Sequence, residues 1–356
     1  MNSSTSDHLW VTVLAGGVGS RFWPMSTPSR PKQLLPLAGP DPLIADAVRR
    51  GALLAPRHRI RLLAGARLSG ALRSAVPDLP ESAYLIEPQA RGTAPALTWA
   101  AWTVLQEDPD AVLVSLHSDH RVEPEAEFAE LVRAGAELAA RERVLVTVGA
   151  EPDRPETGYG YIQPGAPLGG SPAGAARVAA FHEKPDANTA ARYVAAGFLW
   201  NTGIFIWRAD TFLDEVRTHA PEIAGALPLL DAGDAPGFFA ACEPVAVDVA
   251  VLERSPEVAV IPCPFDWDDI GSWDSLPRVR QADAMGNVSV GPAVAHESHG
   301  NVTFTDVPPV VLFGVDDLVV VRTAGATLVT RRELAPHLKR LVDALPPELQ
   351  DPEIRQ

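Results

Sequence analysis

The feature that most constrains this chain is the alternation of short apolar runs with amphipathic stretches across its first 150 residues. Apolar runs at 9–14, 60–64, 83–86, 111–116 and 144–148 are too short for helices and too continuous for strands with one wet face. Between them, 94–105 and 125–140 repeat apolar residues at helical spacing. Strand and helix in alternation predict an α/β fold, Rossmann-like, with a mixed, mostly parallel sheet covered on both faces. Ligands in such sheets bind beyond the carboxyl ends of the strands, where the Gly-rich turn after Leu14 and the Ser-Asp-His after His117 both fall.

Charge and cysteine content narrow the classes. Thirty basic side chains against 45 acidic ones give a net charge of −15, which argues against a nucleic-acid partner but leaves room for a local basic pocket. Cys242 and Cys263 are too few for a disulfide framework and lack the CxxC spacing of a structural zinc site. The start, MNSSTSDHLW, has no leader pattern, and no apolar run approaches the ~18 residues of a membrane span. A soluble cytoplasmic protein with no membrane partner is the expectation.

Beyond residue 157 the pattern changes to ETGYGYI, a Gly/Pro/Ala-rich loop at 164–176, FHEKPD, a helix near 188–196 and FLWNTGIFIW. This reads as a strand-rich insertion closing over the ligand edge, with Trp200, Phe205 and Trp207 in its core. Short β-like runs at 302–304, 310–313, 318–322 and 327–330 and an amphipathic helix at 331–345 complete the chain. The reading gives a main domain over 1–285 and a small β appendage over 286–356, with a short β-helix as one form of it and an apolar strand set compatible with a homodimer.

The segment LAGGVGSRFWPMSTPSRPK carries the most chemistry. Glycines after a strand let the backbone approach a phosphate chain and offer N–H groups to it. It is neither a P-loop nor a GxGxxG fingerprint, because no Lys-Ser or Lys-Thr follows at that spacing and Phe22 stands where a third glycine would be. What remains is a turn flanked by two cations, Arg21 and Lys32. A surface loop with incidental charges is the plainer alternative.

Those residues, taken together, resemble the signature of the sugar-nucleotide pyrophosphorylases, nucleotidyltransferases acting on sugar 1-phosphates, and FWPMSTPSRPKQ is similar to the mannose-1-phosphate guanylyltransferase branch. EPQARGTAPA, LHSDHRV, ETGYGYI, FHEKP, FLWNTGIF, VDVAVLERS and FDWDDIGSW agree in order. The resemblance implies a nucleotidyltransferase domain of GT-A-like fold that uses GTP and mannose 1-phosphate. It implies nucleotide contacts from Ala15, Gly16, Gly17, Gly19 and Arg21, with Glu87, Gln89 and Thr93 near the base. It further implies sugar contacts from Tyr159, Gly160, Glu183, Lys184 and Asn201, Mg2+ on Asp119 and Asp269, and catalysis by Arg21, Lys32 and Asp119. Long members of the family carry an added cupin-type domain, which this chain is too short to include. At His117 the family usually has a small residue or Pro. His117 and His120, three apart, make only a weak zinc pattern.

Spacing alone does not separate guanine from adenine or one hexose from another. Another hexose 1-phosphate and nucleotide pair therefore stays open, as does a non-catalytic nucleotide-sugar-binding paralogue. The paralogue would be expected to lack Arg21, Lys32 or one of the metal aspartates, and all are present.

Overall fold

The computed structural model describes residues 5–351 apart from Val18 and Ser171. The first four residues, read above for a leader, and the last five of the appendage lie outside that set. Among the described residues no helix is long and apolar enough to cross a membrane.

Leu9–Leu14 (β1) is buried along its whole length. Val11 and Val13 enter one apolar cluster while Trp10 and Leu14 enter another, so the run has two dry faces, as its unbroken apolar pattern requires. Ile60–Gly65 (β2), Tyr84–Glu87 (β3) and Val112–His117 (β4) join it in parallel in the order β3-β2-β1-β4. Leu43–Ala52 (α1), Ser69–Ala75 (α2) and Glu125–Glu142 (α4) cover the Val11 face through Val48, Leu72 and Phe128. Thr93–Glu107 (α3) covers the other through Leu97 and Val104. The chain lays β2 and β3 on one side of β1 and then returns to place β4 on the other. That reversal opens a crevice outside the carboxyl ends of β1 and β4.

A short strand, Arg121–Glu123 (β5), follows β4. Leu145–Ala150 (β6), Gly160–Pro167 (β7), Ala176–Glu183 (β8), Leu199–Arg208 (β9) and Val258–Pro262 (β10) then extend the main sheet past β4 in the order β9-β6-β10-β8-β7. β9 runs antiparallel to β4 and β6, which makes the sheet mixed, with its parallel half carrying the Gly-rich turn. The strand-rich insertion joins the main sheet. β7 pairs with both β8 and β9, because Tyr161 and Ile162 are fully buried and their backbone needs partners on both sides. Trp200, Phe205 and Trp207 are buried, as the sequence suggested. Asp266–Asp268 (β11) pairs antiparallel with β5, setting Asp268 opposite Arg121.

In the appendage Val288–Val290 (β12), Val302–Thr305 (β14) and Leu318–Arg322 (β16) stack in parallel, and Thr327–Arg331 (β17) closes the stack antiparallel. Ala293–His296 (β13) and Val310–Phe313 (β15) form a second parallel stack, giving a short β-helix. β12 and β13 escaped the sequence reading because each is only three or four residues long, and β13 is mostly exposed. Two asparagines tie its coils: Asn287 Oδ1 accepts from the backbone and side-chain N–H of Asn301 at 3.0 Å each, and Asn301 Oδ1 accepts from Leu318 N at 2.9 Å. The terminal helix expected at 331–345 is broken into a 3-10 turn, Arg332–His337, and an α-helix, Leu338–Ala344. Pro336 inside the first piece has no N–H to continue an α-helical ladder.

The β-helix shares an apolar cluster with the Pro-rich turn of the signature segment. Phe22, Trp23, Met25 and Leu35 pack with Trp273, Val302, Phe304 and Val321. Trp273 is fully buried, lies edge-on to Phe22 at 5.0 Å and donates its indole N–H to Trp23 O at 3.1 Å. Replacing it by Ala is expected to cost about 3–5 kcal/mol of unfolding free energy. Urea titration followed by circular dichroism checks this, and a loss below ~1 kcal/mol would show that the shared cluster does not hold the turn.

Candidate active site

The turn after β1 is shaped by backbone contacts that only certain residues permit. Gly19 has φ +72°, and a Cβ there would lie 2.4 Å from Cβ of Lys32, so a glycine lets the two arms of the turn close on each other. Gln33, buried, donates from Nε2 to Ala15 O at 2.9 Å and to Gly17 O at 3.4 Å, holding the first arm from within. Lys32 is 7% exposed, and its ammonium spans two later segments of the chain, donating to Asp119 Oδ2 and to Asp269 O, both at 2.8 Å.

Asp119 follows β4, whereas Asp269 follows β11. The β5–β11 pairing brings them together across 150 residues of sequence, since β5 is the segment just after Asp119. Tyr159 donates its hydroxyl to Asp269 Oδ1 at 2.6 Å. Burial would raise the Asp119 carboxyl, but the Lys32 ammonium and the two neighbouring imidazoles hold it well below the usual carboxylate range. Burial keeps Asp269 above that range, against the pull of Lys32 and of the Tyr159 hydroxyl. The Tyr159 phenol is driven far up by burial and the adjacent carboxylate, so it stays a donor. Lys32 thus links the Asp119 carboxylate to the Asp269 backbone, and carboxylate oxygens of this kind suit a hard divalent ion such as Mg2+.

A cavity of about 320 Å³ opens beside this cluster, lined by residues that include Gly16, Gly17, Glu87, Thr93, His117 and Asp119. Three strand ends and the start of α3 thus meet in one place, at the crevice the strand order creates. Gly92 has φ +84° and packs so tightly on Val245 that a Cβ would lie 2.4 Å from its carbonyl oxygen. Thr93 Oγ1 accepts from Val247 N at 2.9 Å and does not cap its own helix. Glu87 is pushed up to about 7 by burial. Ala15 is buried behind the turn, while Arg21 and Gln89 are exposed and, like Gly19, do not line this cavity. Gln89 instead accepts from Arg91 at 3.1 Å.

The residues predicted for the sugar gather at the adjoining ends of β7, β8 and β9. Gly160 faces Glu183 across the hairpin, and a Cβ on it would come 2.7 Å from Glu183 Oε2. Glu183 pairs with Lys184, whose φ is +47° and whose backbone N donates to Tyr159 O at 3.2 Å. Asn201 donates to Asp248 Oδ1 at 2.8 Å and accepts from Thr147 Oγ1 at 2.9 Å. Burial and the Glu183 charge push Asp248 up to about 6. Asp248 and Gln33 were not singled out from sequence, although both lie inside quoted motifs, and Trp267 was named only as part of its motif. What these three do depends on partners brought in by the fold, which no local pattern displays.

A family model described as nucleotidyl transferase matches residues 11–285, and one described as MannoseP isomerase/GMP-like beta-helix domain matches 291–345. The chain belongs to the nucleotidyl transferase family. Curated members similar to it include the mannose-1-phosphate guanylyltransferase RfbM of Salmonella typhimurium, 34% identical over 94% of this chain and 71% of that protein. A mannose-1-phosphate guanylyltransferase of Escherichia coli is 35% identical over 94% and 73% respectively. The crystal structure of a mannose-1-phosphate transferase from Thermus thermophilus superposes with a TM-score of 0.88 at 32% identity, covering 94% of this chain and 98% of that one. As a member of this family the chain is an enzyme of nucleotidyl transfer, with the mixed-sheet fold and the C-terminal β-helix that the sequence led us to expect.

The raised Glu87 carboxyl has a consequence for this nucleotidyl transferase fold. In the unfolded chain it loses its proton near the ordinary 4.5, but in the folded state only near 7. Between these values the folded protein binds more protons, so wild-type stability falls as pH rises through the window. Glu87→Gln removes that loss, so its melting temperature is expected to exceed the wild-type value at pH ~8 by more than at pH ~4.5. Calorimetry at the two pH values checks the difference.

Proposed function

We propose that the chain transfers GMP from GTP to mannose 1-phosphate with Mg2+, giving GDP-mannose and pyrophosphate. The observation that carries this is the Lys32–Asp119–Asp269–Tyr159 cluster, which joins the mouth of the glycine-lined cavity to the β7–β9 strand ends. Relatives at 34–35% identity that are named mannose-1-phosphate guanylyltransferase support the choice of substrates.

A sugar 1-phosphate has a second pKa near ~6, so its dianion is already a nucleophile at neutral pH and needs no protein base. The protein's task is to hold that oxygen in line with the α-phosphorus and to neutralise charge on the transferring and leaving groups. Lys32 sits beside the transferring phosphate in this reading, and Arg21 serves the triphosphate and the departing pyrophosphate. Gly16, Gly17 and Gly19 let the backbone approach the phosphates, with Ala15 behind them. Glu87, Gln89 and Thr93 face the nucleoside. Glu183 accepts from hexose hydroxyls, Lys184 pairs with the sugar phosphate, and Tyr159, Gly160 and Asn201 complete the sugar pocket. Asp119 and Asp269 would hold Mg2+, which when bound would supply charge neutralisation and orientation of the phosphates.

Pyrophosphate release, measured for GTP, ATP, UTP and dTTP crossed with mannose 1-phosphate and glucose 1-phosphate, tests the reading. Release confined to GTP with mannose 1-phosphate is expected. Activity with another pair would overturn the substrates, and tight nucleotide-sugar binding without any turnover would point to a regulatory paralogue. Asp119→Asn and Asp269→Asn should each lower kcat at least about a hundredfold with unchanged circular dichroism.

A further inference from the structure

One ligand atom from each of His117, Asp119 and His120 lies within 4.8 Å of the other two. The imidazoles are stacked, with ring centroids 4.5 Å apart and planes 22° apart, but their surroundings give them different chemistry. His120 is buried, and its Nδ1 accepts the indole N–H of Trp267 at 3.2 Å. An indole can only donate, so the neutral ring carries its proton on Nε2, which faces Asp119 Oδ1 at 3.9 Å. His120 therefore turns an N–H, not a lone pair, towards the carboxylate.

His117 is placed differently. It lines the glycine-walled cavity beside Asp119, and among the described residues its ring has no hydrogen-bond partner. Its position is fixed by packing. The ring lies on His120 on one side, and its Nε2 edge rests on Gly203, where φ is +69° and a Cβ would lie 2.7 Å from that nitrogen. A bare backbone at Gly203 is thus what makes room for an imidazole next to Asp119.

We propose that His117 supplies a nitrogen ligand to the divalent ion held at Asp119. The site is then not purely an oxygen site, and its preference moves from Mg2+ towards transition-metal ions such as Mn2+ and Co2+. This rests on the metal reading given under the proposed function. Two ligands across an ion bound at ~2.1 Å are about 4.2 Å apart, so the observed spacing needs only a small side-chain adjustment. Imidazole nitrogen favours the later divalent metals, whereas Mg2+ is held by oxygens and gains little from it.

The test uses Mn2+ as probe, with free ion followed by electron paramagnetic resonance and bound ion by spin-echo modulation, in wild type, His117→Gln, His117→Ala, His120→Gln and Asp119→Asn. Nitrogen-14 modulation is expected in wild type and His120→Gln and absent from both His117 variants. Mn2+ affinity should fall about tenfold or more in those two, with a smaller change for Mg2+. Should a His117 variant fail to fold, the wild-type and His120→Gln spectra decide between the two rings. Bound Mn2+ without nitrogen modulation in wild type, or modulation lost only in His120→Gln, overturns the assignment while leaving the carboxylate site intact if Asp119→Asn releases the ion. If Asp119→Asn leaves Mn2+ binding unchanged, the ion is held elsewhere and the metal reading falls with it.

Discussion

A single buried ammonium organises the centre of this molecule. Lys32 arrives from the turn after β1 and meets Asp119 from β4 and the Asp269 backbone from the β11 turn. A buried cation is costly unless it is paired and hydrogen-bonded, so the three segments are not free to drift apart. The same contact lowers the Asp119 carboxyl and opposes the rise at Asp269. Two chemically equal side chains are thereby given different proton affinities. Tyr159 then extends the hydrogen-bonded network to the β7–β9 strand ends.

The placement of these groups follows from strand order more than from any local motif. β1 and β4 are neighbours only because the chain reverses its direction of sheet growth after β3, and β5 and β11 pair only because β10 returns the chain to the same sheet. Loops then carry the reactive groups on a rigid frame. The β-helix adds a second restraint, since its apolar side is the floor on which the Pro-rich turn rests.

The parallel half of the sheet was legible because β1, β2 and β4 are buried on both faces, which leaves an unbroken apolar run in the sequence. Thr93 could be placed at a helix start from its neighbours, yet its hydroxyl partner, Val247 N, lies 154 residues away and leaves no local trace. The strand-rich insertion was read from its pattern, but its pairing into the main sheet through β9 was not, because alternation tells which face of a strand is dry and not which strand lies beside it. Pro336 was visible in the terminal segment, and giving it more weight would have split the helix there. Of the site, Lys32, Asp119 and Asp269 could be named from the family resemblance. Asp248, Gln33 and the Trp267–His120 contact needed the fold.

The hydrogen bond from Trp23 Nε1 to Leu349 O joins residues 326 positions apart, and Ser29 is likewise tied to Asp351. Contacts of such separation cannot form until residues 349–351 have been synthesised, and they are slow to find. On the ribosome the glycine-rich turn after β1 is among the first segments to emerge and among the last to be fixed. The nascent protein can therefore complete most of its sheet while this turn is still unset, and the turn is held only once the residues that follow the β-helix arrive.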